Sequence, residues 1–178
     1  MSDRLTTAYK TMRGRTKQMI LRRLVTRIQT GTMFIELNYL NIHPTPDAAW
    51  IRNIYILLSF YTELLLKAIY VYEKNYSSRK ELKQILTNQR HNLEKIAAEI
   101  GIEILEKYGI FEVKKMRTHE YRIKTDVGNF YVKDFVDIRY DFLTARVRKL
   151  KGNEHKMFHI QITAINRITS FLNGPAWA

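Results

Sequence analysis

Residues 54–73, IYILLSFYTELLLKAIYVYE, decide the fold class. Ile54, Leu57, Leu58, Tyr61, Leu64, Leu65, Ala68, Ile69 and Tyr72 keep the i, i+3, i+4, i+7 rhythm of a helix with one wide buried face. The stretch is apolar enough to suggest a membrane span, but it carries Glu63 and Lys67 near its middle. Both charges are costly in hydrocarbon, so the segment reads as the central helix of a soluble bundle. Their four-residue spacing is that of an acid–base pair on a helix surface, worth about 0.2–0.5 kcal/mol.

Working outward toward the N-terminus, His43-Pro-Thr-Pro-Asp47 is a break, because two prolines cannot continue a helix, and Asp47 is placed to cap the central helix. Residues 4–28 are helix-forming and basic, and Gly14 and Gly31 are expected to weaken or end that helix. A short apolar segment, Met33 to Leu40, succeeds it. Toward the C-terminus, Ser78 is placed to cap a helix carrying Leu82 and Leu86 that pauses near Asn88. Leu93, Ile96, Ala97 and Ile100 resume the helical rhythm up to Gly101, and a short helical piece is expected over 102–108.

The period then changes. Residues 120–125 and 130–135 alternate and are rich in aromatic and β-branched side chains, with Asp126-Val-Gly-Asn129 as turn material between them. A last helix is expected from about Asn153 to Leu172, with Phe158, Ile162, Ile165, Ile168 and Leu172 on its apolar face. The expected fold is therefore mainly α: a helical bundle with a small β-hairpin insertion at about 120–135. The chain reads as a single domain over 1–178, with a basic N-terminal helical segment over 1–45 and the bundle over 46–178.

Charge narrows the class of partner. The chain holds 30 Lys and Arg against 17 Asp and Glu, a formal charge of +13. Such an excess suits a polyanion, since Lys and Arg that neutralise phosphates release condensed counterions. An acidic partner protein or a membrane surface is the competing reading. There is no cysteine, which rules out disulfides and thiolate metal sites and suits a reducing cytoplasm. The first fifteen residues lack the apolar core of a signal peptide. Gly-rich phosphate loops, nucleophile elbows and paired-carboxylate signatures are missing, and neither a cofactor nor a metal is expected.

The order Glu63-x-x-x-Lys67, then His91-Asn-Leu93, then Ile138-Arg-Tyr140 ahead of a final apolar helix resembles the HEPN superfamily of small all-helical domains. The resemblance spans roughly residues 50–172. It implies RNA as the target, a homodimer, and an Arg with four to six residues before a His at the start of the last helix. Arg148 and His155 stand in that place, six residues intervening. The implied activity is metal-independent RNA cleavage of the toxin–antitoxin or antiviral-defence kind, with an antitoxin as a further partner. In it a His moves protons at the 2′-hydroxyl or the leaving 5′-oxygen, and the Arg holds the phosphate. The sequence departs from the family pattern at Lys149, where a polar residue usually comes after the Arg, and at Gly152-Asn153 inside the spacer. The alternative is a non-catalytic, HEPN-like or other basic helical subunit that binds nucleic acid or a partner within a larger complex.

Three basic clusters are candidates for phosphate contact. One is the N-terminal helix, with Arg13, Arg15, Arg22 and Arg23. The second is Arg146, Arg148, Lys149, Lys151 and Lys156. The third, Lys114, Lys115, Arg117, Arg122 and Lys124, is interleaved with Tyr121 and leads to Phe130 and Tyr131. Aromatics beside Arg can stack on unpaired bases, although at least half of these rings are expected to pack the hairpin onto the bundle. His155 and His159 share a helix face at the spacing of two metal ligands, but two exposed or capping histidines are expected there. His91 is expected to be a structural residue at a helix start.

Overall fold

The computed structural model describes residues 2–40, 48–76, 78–117, 120–133 and 154–173. The described residues form a mainly helical fold with a small antiparallel sheet, as the hydrophobic periods require. The helices are α1 (Ser2–Ile35), α2 (Ala48–Glu73), α3 (Arg79–Gln89), α4 (Leu93–Ile100), α5 (Ile102–Lys107) and α6 (Glu154–Leu172); a π-helical turn, Glu36–Leu40, extends α1. The strands are β1 (Ile110–Arg117), β2 (Glu120–Thr125) and β3 (Gly128–Lys133).

Helix α2 is the axis. Ile54, Leu58, Leu65 and Ile69 are buried on it, against Leu21, Val25 and Ile28 of α1 and Phe158, Ile162 and Ile165 of α6 within one core. Trp50–Glu73 is long and apolar enough to cross a membrane, but 61% of its apolar window is buried inside the fold. Polar contacts set the directions of the neighbours. Tyr55 meets Phe158 edge to face, and Gln161 Nε2 donates to Leu58 O at 3.2 Å and Thr62 Oγ1 at 2.9 Å, so α6 runs parallel to α2. Lys17 Nζ reaches Lys74 O and Gly31 lies against Tyr61, so α1 runs antiparallel to it.

The N-terminal helix differs from the expectation. It continues through both Gly14 and Gly31 and takes in the segment 33–40. A Cβ at Gly31 would collide with the Tyr61 ring, so this glycine brings α1 close to α2 rather than ending it. The break at 43–47 and the cap at Asp47 lie outside the described residues. Ser78 does cap α3: its Oγ accepts from Glu81 N at 3.1 Å.

The sheet has three strands in the order β1-β2-β3, one more than the hairpin expected. The additional strand, β1, has register shifts at Phe111 and at Met116 that break its alternation, and its Lys114-Lys115 pair hides the β character. The turn is also tighter, with Asp126 and Val127 between the strands and Thr125 facing Gly128. The inner face places Tyr121, Ile123, Phe130 and Val132 in the core, where β3 packs on α2 and α6. An ion pair between Asp126 and Arg167 fixes the turn end of the hairpin to α6, and Arg167 also donates to Tyr108 O at 2.8 Å.

Candidate nucleic-acid interface

The outer sheet face is set by strand alternation. With Tyr121, Ile123 and Thr125 buried, Glu120, Arg122 and Lys124 must point the other way; in β3 the same logic turns Asn129, Tyr131 and Lys133 outward. Register then lines up Lys114, Arg122 and Tyr131 across all three strands. Tyr131 is 40% exposed. Of the three aromatics in the hairpin, Tyr121 and Phe130 pack inward and Tyr131 alone faces out, in line with the expected majority.

Among the described side chains, four cations occupy this face, Lys114, Arg122, Lys124 and Lys133, against two carboxylates, Glu112 and Glu120. Glu112 Oε2 accepts from Arg122 Nε at 2.9 Å and Nη2 at 2.6 Å, which ties the guanidinium to β1, while Tyr131 is the cross-strand neighbour of Arg122 on β3. Lys114 and Arg122 are directly opposed, an arrangement that works against sheet stability when no anion lies over it. A planar cation next to a phenol ring, with lysines at the margins, can stack a base and neutralise the phosphates on either side of it.

At the open end of the hairpin lies the start of α6. Tyr55 marks the junction: burial, then the carboxylates of Glu154 and Glu120, push its hydroxyl up to about 12. Glu154 begins α6 and Glu120 begins β2, so both elements converge there. His155 and His159 are exposed on the next turns, their rings edge to face with centroids 4.6 Å apart. Arg148, His155's expected companion, lies outside the described residues, as do Arg146, Lys149 and Lys151. Arg22 and Arg23 are exposed on α1; Arg13 and Arg15 are on the same helix, with side chains outside the described set. Among the described residues no group of three or more His, Cys, Asp or Glu side chains gathers to hold a metal.

A second constellation is one that sequence reading undervalued. Glu63 is 3% exposed, not a surface residue. Its Oε1 accepts from Lys67 Nζ at 2.6 Å and its Oε2 from His91 Nδ1 at 2.7 Å, which fixes the imidazole tautomer. Lys67 also donates to Arg90 O at 3.0 Å. One buried carboxylate therefore joins the E-x-x-x-K pair of α2 to the His-Asn-Leu segment that opens α4. His91 stands just before α4, and its partner is 28 residues away rather than in the helix it precedes. The only sequence signal was an acid at an i+4 spacing whose neighbours, Thr62 and Leu64 to Leu66, are otherwise uncharged.

No protein-family model, curated protein or solved structure matches this chain.

Proposed function

We propose that this protein binds single-stranded RNA across the outer face of its sheet. The observation that carries the reading is the row Lys114–Arg122–Tyr131, an exposed aromatic beside a fixed guanidinium on a basic surface. A base stacks on Tyr131 and Arg122, while Lys114, Lys124 and Lys133 take the phosphates. The charge of +13 supports the same partner and supplies long-range attraction to it. Titrating labelled, unstructured RNA into wild type and Tyr131→Ala at several salt concentrations tests this. Binding that falls with salt and weakens in the variant is expected; equal affinity of the two proteins refutes the sheet as the site.

A second reading, metal-independent endoribonuclease of a HEPN-like kind, is favoured by the exposure of His155 in the first turn of α6, at the open end of the hairpin. RNA leaving the sheet past Lys133 meets the first turn of α6. There an imidazole can take the 2′-hydroxyl proton, the oxygen attacks the adjacent phosphorus, and the 5′-oxygen leaves. Arg148 is the proposed phosphate clamp, and a homodimer with a toxin or antiviral-defence role is the setting that the motif order supports. Cleavage in EDTA that disappears in both His155→Ala and Arg148→Ala is the expected outcome. Salt-sensitive binding by well-folded protein without cleavage leaves the alternative, a non-catalytic subunit of a larger complex.

A further inference from the structure

The corner between α3 and α4 is built with more constraint than a connection needs. Arg90 stands at φ 49°, ψ −130°, a region that L side chains seldom occupy. Its N–H donates to Thr87 O at 3.1 Å and its carbonyl accepts from Lys67, while His91 is held by Glu63. Asn92 then caps α4 through Lys95 N at 3.0 Å. Strain of this kind persists where the surroundings enforce it, and here they fix the angle between α3 and α4.

That angle opens a groove. Along α2 and its C-terminal end, Glu63, Lys67, Tyr70 and Lys74 form one stripe at i, i+4, i+7 and i+11. The first two are absorbed by the corner. The next two line an open groove of about 520 Å³, whose other walls are Ile85 and Asn88 of α3 and Lys95 and Glu99 of α4. A volume of this order suits a small organic ligand. Tyr70 and Ile85 supply apolar surface, and the Tyr70 hydroxyl is pushed up, first by burial and then by Glu99 and Glu81. Lys74 and Lys95 come from different helices. Lys95 gives one donor to Asn88 O at 3.1 Å, and an ammonium has three.

Glu99 decides the chemistry. Gln89, 1% exposed, donates to Glu99 Oε2 at 2.6 Å and leaves its own Oε1 without a hydrogen-bond partner. The carboxylate is thus fixed at the cost of a buried, unpaired oxygen. A fixed carboxylate with lysines near it and an aromatic wall matches a ligand with adjacent N–H donors, a flat ring and a phosphate. Guanine presents N1–H and the 2-amino group side by side on its Watson–Crick edge; adenine has an acceptor at N1. We infer that the groove between α2, α3 and α4 binds a guanosine nucleotide, with the base on Tyr70 and Ile85, its edge on Glu99 and its phosphate between Lys74 and Lys95. The groove shares no residue with the sheet face.

Calorimetric titration of the full chain with 5′-GMP, 5′-AMP and inorganic phosphate tests it, alongside Glu99→Gln and Lys74→Glu, each checked for an unchanged melt. Saturable GMP binding, at least tenfold tighter than AMP or phosphate and reduced tenfold or more in both variants, is expected. A short RNA with a single guanosine separates the sources. If it binds tighter than GMP and is lost in Glu99→Gln, the ligand is a residue of RNA; if GMP binds tighter, it is the free nucleotide. Equal, weak binding of GMP, AMP and phosphate, or GMP binding unaltered in both well-folded variants, overturns the proposal. The Tyr131→Ala variant should bind GMP like wild type, so failure of the sheet reading and of this one are told apart.

Discussion

Two carboxylates in this molecule hold basic side chains, in opposite surroundings. Glu63 is buried and joins Lys67 and His91 beneath the α3–α4 corner; Glu112 is one-third exposed and braces Arg122 on the outer sheet face. Solvent separates their roles. In the interior, desolvation is a large cost that only complete pairing offsets, so losing a partner is felt by the whole fold. On the surface, water screens the pair and its contribution to stability is small, but it holds the guanidinium in place. The difference teaches that burial, not residue type, decides how much of the fold a charge pair here carries.

The largest effect should come from breaking the buried member. Glu63→Ala leaves Lys67 and His91 without their shared carboxylate and should lower stability by about 3–5 kcal/mol. Chemical denaturation measures it; a loss below about 1 kcal/mol would place Glu63 with surface pairs and erase the contrast. The two faces of the sheet sharpen the point. Tyr121→Ala empties the core and should cost about 3–5 kcal/mol, whereas Tyr131→Ala, on the exposed face, should stay within about 0.5 kcal/mol. Thermal melts of both variants decide it, and similar losses would mean that Tyr131 is packed rather than presented.

Next in size is a pH effect at the junction of sheet and α6. The Tyr55 hydroxyl titrates near 10 in the unfolded chain and is pushed up to about 12 in the fold, by burial first. The folded state therefore keeps its proton longer. The stabilisation is complete below pH about 10 and is lost as pH rises from there toward 12, by at most about 1.4 kcal/mol per pH unit. In Tyr55→Phe that part of the alkaline decline should vanish; an unchanged pH profile of the melting temperature would contradict it. The smallest effect is expected at the exposed pair, where a double-mutant cycle on Glu112 and Arg122 should give a coupling of about 1 kcal/mol or less. A larger value would make that pair structural too.

Much of the fold was legible because period and burial agree. The apolar rhythm of α2 and α6 survives because each packs one wide face, and Ser78 does what a serine before a helix does. Alternation was equally clear in β2 and β3, and it is what puts Tyr121 inside and Tyr131 outside. Other features were hidden by tertiary causes. Gly31 looks like a helix breaker until Tyr61 is seen against it, and β1 lost its alternation to the irregularities at Phe111 and Met116. Glu63 looked like half of a surface pair, since no local pattern reveals a partner at His91. The guanosine groove has no motif at all, being assembled from single residues on α2, α3 and α4. Of the Arg148–His155 pair, the structure describes His155, exposed on α6.

The most direct test of the sheet as an RNA-binding face is fluorescence anisotropy of a labelled, unstructured RNA against wild type, Tyr131→Ala and Lys114→Ala between low and physiological salt. Stacking on Tyr131 predicts a loss of about 1–3 kcal/mol in the first variant with the salt slope unchanged. A phosphate contact at Lys114 predicts a slope smaller by about 0.7 in the second. Wild-type affinity and slope in both well-folded variants would contradict the account.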